Sequence, residues 1–102
     1  MTPEGKVKKY LRDECKKRGW LCVPTTVIGL NGWPDRLILA NGGFAAFVEV
    51  KAEGASLNTD HVRTQQDRLA NLRAYGFTAD LARGKEGVDT LLTLFEKVSG
   101  RA

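Results

Sequence analysis

The chain has 102 residues, an apolar share of 42% and a formal net charge of +4. That length suits one domain, residues 1–102, with a core of its own, and the apolar content excludes a disordered chain. The mild positive charge permits a nucleic-acid partner without demanding one, and two cysteines with a single histidine exclude a disulfide framework and a soft-metal site.

The opening segment, MTPEGKVKKYLRDECKKRG, reads as a helix. Thr2 suits the cap, Pro3 the first turn and Glu4 the positive end of the helix dipole. Val7, Tyr10, Leu11 and Cys15 form its apolar stripe, and Gly19 is the stop. The segment is too charged for a signal peptide, and no apolar run of about 18 residues follows, so the expectation is a cytoplasmic, reducing compartment with no membrane partner. WLCVP reads as a strand that Pro24 ends or marks as an edge. Thr25 to Trp33 is a loop in which Ile28, Leu30 and Trp33 are unusually apolar. They either fold back on the core, form a dimer contact or face DNA as a wedge.

DRLILA and FAAFVEVKA are strands joined by Asn41-Gly42-Gly43, a tight-hairpin signal. Both faces are largely apolar, which predicts a central hairpin covered on each side. A second helix starts near Asn58 or Thr59 and ends before Gly76. FTADLA is the next strand, and a last helix spans about Val88 to Val98, with Val88, Leu91, Leu92, Phe95 and Val98 inward. The order is α-β-β-β-α-β-α, and the fold class is α/β.

Three charges interrupt the greasy hairpin at one end. If Asn41, Gly42 and Gly43 form the loop, Ala40 faces Phe44 and Asp35 falls opposite Glu49. Directly opposed residues have Cβ atoms about 5 Å apart. Two carboxylates there repel each other, so a cation must compensate. Lys51 shares the face of Glu49 and could pair with one acid. A hard divalent cation such as Mg²⁺ could serve both. A two-residue turn would instead place Asp35 and Glu49 on different faces. The plain alternative is a surface salt-bridge cluster. Gln65 fills the missing place in the stripe Val62, Leu69, Leu72, so it points at the sheet, where a buried amide needs partners. Gln66 points aside. Glu4 either joins the carboxylates or only stabilises its helix N-terminus.

Pro34-Asp35, thirteen residues and then Glu49-Val50-Lys51 resemble the PD-(D/E)XK nuclease core. More narrowly, the whole chain resembles a stand-alone VRR-NUC domain, the virus-type replication and repair nuclease module. That family's helix glutamate, glycine-x-Pro-Asp segment, Glu-x-Lys strand and helix glutamine fall on Glu4, Gly32-Trp33-Pro34-Asp35, Glu49-Val50-Lys51 and Gln65. Two positions depart. Asn31 stands where many relatives carry a basic residue, and Arg36 where a leucine often follows the aspartate.

The resemblance implies a restriction-endonuclease-like mixed central sheet flanked by helices, and a metal-dependent DNA endonuclease selective for branched structures such as four-way junctions. Asp35 and Glu49, helped by the Val50 carbonyl, would hold Mg²⁺ or Mn²⁺. Lys51 would orient the attacking water, Gln65 would position ligands, and Glu4 would help a second cation. Lys6 and Lys9 on the first helix, Arg36, and Arg63 and Arg68 on the second helix would contact phosphates, which position the backbone without reading bases. A homodimer would match a junction's two-fold symmetry, and no nucleotide cofactor is expected. A non-catalytic DNA-binding or assembly module on the same fold is the alternative.

Overall fold

The computed structural model describes residues 1–100. Three helices, α1 (Pro3–Lys17), α2 (Asp60–Ala74) and α3 (Gly84–Val98), surround four strands: β1 (Leu21–Pro24), β2 (Arg36–Ala40), β3 (Phe44–Lys51) and β4 (Thr78–Arg83). The sheet order is β1-β2-β3-β4; the first three strands form an antiparallel meander, and β4 runs parallel to β3. A parallel neighbour requires a crossover, and α2 supplies it. The result is a mixed sheet with α1 and α3 on one face and α2 on the other.

Local chemistry accounts for most boundaries. The Thr2 hydroxyl accepts from the Gly5 N–H at 3.0 Å, and the Thr59 hydroxyl from the Val62 N–H at 3.1 Å, so both helices begin at a capping side chain. The hairpin turns through Asn41–Gly43 as a single 3₁₀ turn, with Gly42 and Gly43 at positive φ. Ala40 therefore faces Phe44 and Arg36 faces Val48. One step further out, that register sets Asp35 against Glu49.

Side-chain alternation divides β3 between two cores. Ala46, Val48 and Val50 are fully buried with Leu11 and Cys15 of α1 and with Val88, Leu92 and Phe95 of α3. Phe47 faces the other way and packs with Trp33 and with Leu69 and Leu72 of α2. Gln65 is buried in that second layer, where the α2 stripe placed it.

Three expectations need correction. α3 begins at Gly84 rather than Val88. Its first turn, Gly-Lys-Glu-Gly, lacks apolar residues and a capping side chain, and Gly84 turns the chain straight out of β4 at φ +70°. Val98 is 59% exposed, so the inward stripe of α3 ends at Phe95. The apolar loop divides: Trp33 meets Phe47 edge to face at 5.6 Å between ring centroids, whereas Ile28 is 96% exposed.

Nor is the hairpin equally covered on both sides. α2 lies over β3 and β4 but leaves the β1–β2 side of its face open. Leu21 pairs with Leu39 and Leu39 with Ala45, and all three are exposed. Phe77, also exposed, continues this row beside Phe47. The edge strand β4 is blunted differently: Arg73 Nε donates to the Ala79 carbonyl at 2.6 Å, and Asp80 Oδ1 accepts from the Leu81 N–H at 2.8 Å. Side chains thus occupy main-chain groups that an edge would otherwise offer to another strand.

Candidate active site

Where β2 begins and β3 ends, the backbone brings Asp35, Glu49 and Lys51 close together, and α2 adds Gln65. Asp35 lies one residue before β2. Its Oδ1 accepts from the Val50 N–H at 3.3 Å, which ties the carboxylate to the end of β3. Its Oδ2 lies 3.4 Å from Lys8 Nζ on α1, and the same ammonium is 3.0 Å from Glu4 Oε2. Glu4 thus reaches the cluster at one remove, through Lys8. Glu49 and Lys51 point to the α2 side of the sheet, 2% and 8% exposed, with Lys51 Nζ 3.6 Å from Glu49 Oε2. Gln65 Nε2 donates to that oxygen at 2.7 Å.

The electrostatics follow from this packing. Burial, reinforced by the negative charges of Asp35 and Glu4, pushes the Glu49 carboxyl up from 4.5 to about 7, with the Lys51 ammonium pulling the other way. Burial also raises the Asp35 carboxyl, while Lys8 and Arg36 pull it down. Burial disfavours the Lys8 ammonium, but Glu4 and Asp35 outweigh it and leave Lys8 above the usual lysine range. Two carboxyls that resist ionisation side by side form a place where an added positive charge is favourable.

The donor set fits a hard cation. Glu49 Oε1 and Gln65 Oε1 are buried acceptors with no hydrogen-bond partner. Buried polar oxygens are rarely left so, and carboxylate and amide oxygens are what Mg²⁺ takes. Among the described residues no group of three or more His, Cys, Asp or Glu side chains forms a metal-holding set. A cation would therefore draw on the two acids, Gln65 and main-chain oxygen such as the Val50 carbonyl.

No protein-family model matches the chain, and no curated protein does. Among solved structures, the chain is similar to a VRR_NUC domain with 29% identity and a TM-score of 0.75, over 91% of this chain and 97% of that one. The chain has the fold of a VRR-NUC domain. A VRR_NUC domain protein with 20% identity shares the fold over 95% of this chain and 90% of its own, at a TM-score of 0.70. So does Hjc of Archaeoglobus fulgidus, a Holliday junction resolvase, with 22% identity, a TM-score of 0.56, and coverage of 78% of this chain and 67% of that one. The architecture is a nuclease fold.

The basic residues of this VRR-NUC-like fold do not form one surface. Lys6 and Lys9 belong to α1, whereas Arg63 and Arg68 lie across the sheet on α2. Lys9 is held by Asp13 and Arg63 by Asp60, each at 2.7 Å. Arg68 is half-buried, its Nη2 3.3 Å from the Asn31 carbonyl. It braces the loop that carries Asp35. Arg36 points to the α1 side and donates from Nη1 to its neighbour's carbonyl, Asp35 O, at 2.7 Å. Sequence reasoning missed Lys8. Its place four residues after Glu4 signals a helical ion pair, but nothing local announces the contact with Asp35.

Proposed function

We propose that this domain is a Mg²⁺- or Mn²⁺-dependent deoxyribonuclease that hydrolyses phosphodiester bonds in branched DNA such as four-way junctions. One observation carries the reading: the buried, unpartnered oxygens of Glu49 and Gln65 lie beside a second acid, Asp35, whose charge is felt at Glu49. A divalent ion bound there would act as a Lewis acid on the phosphate and make a bound water acidic enough to attack.

The chain's own residues do the rest. Asp35, fixed by the Val50 N–H, and Glu49, fixed by Gln65, present carboxylate oxygens without rearranging. Lys51 is a positive donor at the rim of this pair, suited to orienting a water or to stabilising charge that develops on the phosphate. Gln65 keeps Glu49 Oε2 occupied and so aims Oε1 at the ligand. Lys8 offsets part of the negative charge of Asp35 and Glu4, which lowers the repulsion they exert on an anionic substrate. Junction preference follows from the resemblance to resolvase folds and from phosphate contacts that read shape rather than sequence. We place a two-fold dimer contact on the open row Leu21, Leu39, Ala45 and Phe77, an apolar stripe that crosses the sheet.

The test is cleavage of four-way junction, flap, nicked duplex, linear duplex and single strand, each with Mg²⁺, Mn²⁺ or EDTA. Metal-dependent cutting of branched substrates is expected. Asp35→Asn should abolish it, because the amide still accepts from the Val50 N–H but loses the charge. Full activity in Asp35→Asn would overturn the assignment, and absence of metal-dependent cleavage across the panel would favour a DNA-binding module.

A further inference from the structure

α1 crosses the β1–β2 side of the sheet at an angle that leaves a cavity of about 340 Å³. Lys8, Lys9, Arg12 and Arg36 line it together with Cys22 and Pro24, and no acidic side chain does. The acids that pair with these cations sit outside: Asp13 beside Lys9, Glu4 and Asp35 beyond Lys8. Two guanidiniums retain donors. Arg12 has only a long contact to Asp13, 3.9 Å from its Nε, and Arg36 donates from Nη1 alone, to a main-chain carbonyl.

We propose that this cavity is a phosphate-binding subsite that seats a backbone phosphate of the bound DNA strand adjacent to the phosphate at Asp35 and Glu49. The DNA assignment rests on the nuclease reading; the anion site itself does not. The planar forks of Arg12 and Arg36 match the tetrahedral oxygens of a phosphodiester, and the lysines add point charge. The cavity and the carboxylate site share a wall, since Lys8 and Arg36 both touch Asp35. A phosphate here therefore fixes the register of the strand relative to the cutting centre. The cavity also supplies, from Arg36 and α1, the positive charge that Asn31 does not provide ahead of the Gly-x-Pro-Asp segment.

The experiment uses the full chain in EDTA, so that binding is read without cleavage. Anisotropy of a labelled short duplex is followed against salt for the wild type, Arg12→Gln, the Arg12→Gln/Arg36→Gln pair, and Lys97→Gln on α3 as a control. The pair should bind about tenfold more weakly, with a salt slope shallower by about one, since one neutralised phosphate is lost. Arg12 is exposed enough for the single variant to fold normally, and it should show about half the slope change. Inorganic phosphate titrated into ¹⁵N-labelled protein should shift the Gly5, Arg12, Cys22 and Arg36 amides. Wild-type affinity and slope in the pair, or phosphate shifts confined to other residues, would overturn the subsite. Weaker binding by the pair in a chain that proves unable to cut DNA supports the subsite and removes only the catalytic reading. Unchanged binding with intact cleavage removes only the subsite.

Discussion

Glu49→Gln in the metal-free chain should change how stability depends on pH. Glu49 titrates at about 7 in the folded chain against 4.5 for an unperturbed carboxyl. Between these values the folded state keeps a proton that the unfolded state has lost, so the folded state binds more protons and stability falls as pH rises. Below the lower value both states are protonated and the residue contributes no pH dependence; above the upper one the full penalty is present. At roughly 1.4 kcal/mol per tenfold change, the whole penalty is about 3 kcal/mol. Asp35 is shifted in the same direction, but it is present in both proteins. The informative quantity is therefore the difference between wild type and Glu49→Gln. That difference should be near zero at about pH 4.5 and should favour the glutamine variant by up to about 3 kcal/mol at about pH 8. Urea unfolding in EDTA, followed through the fluorescence of Trp20 and Trp33, measures it. Parallel pH profiles for the two proteins would show that Glu49 is not held neutral by its surroundings.

Mg²⁺ or Mn²⁺ added at about pH 8 should raise the melting temperature of the wild type and leave Glu49→Gln unmoved, since ligands stabilise only the state that binds them; calorimetry reads both. Gly32→Ala should destabilise the fold by roughly 1–3 kcal/mol in chemical denaturation. Gly32 has φ +76°, and a Cβ there would lie 2.9 Å from the Thr64 carbonyl oxygen. Leu39→Asp should shift sedimentation from dimer to monomer without lowering the melting temperature much, because Leu39 is already 36% exposed. Arg73→Ala should increase self-association of the folded chain, seen by light scattering, because it uncovers the Ala79 carbonyl at the β4 edge.

Local periodicity and turn chemistry made much of this molecule legible beforehand. A three-residue Asn-Gly-Gly turn with two positive φ angles permits one pairing, and period-two alternation then carries Asp35 opposite Glu49 six residues from the loop. The gap in the α2 stripe located Gln65, because a helix face seated on a sheet leaves no other direction for that side chain. α3 was harder, since its first turn is glycine and charge, with no stripe until Val88.

What the linear chain determined by itself was the element order, the hairpin register, the shared face of Glu49 and Lys51 and the sheet-facing place of Gln65, all set by interactions spanning a turn, a strand or a helix face. Only the packed structure decided that Lys8 bridges Glu4 and Asp35, that α1 and β1–β2 border a cavity lined by four cations and no acid, and that α2 leaves an apolar row of the sheet bare. Those outcomes depend on where one layer lies across another. That placement is chosen by the sum of many side-chain contacts rather than by any short run of residues.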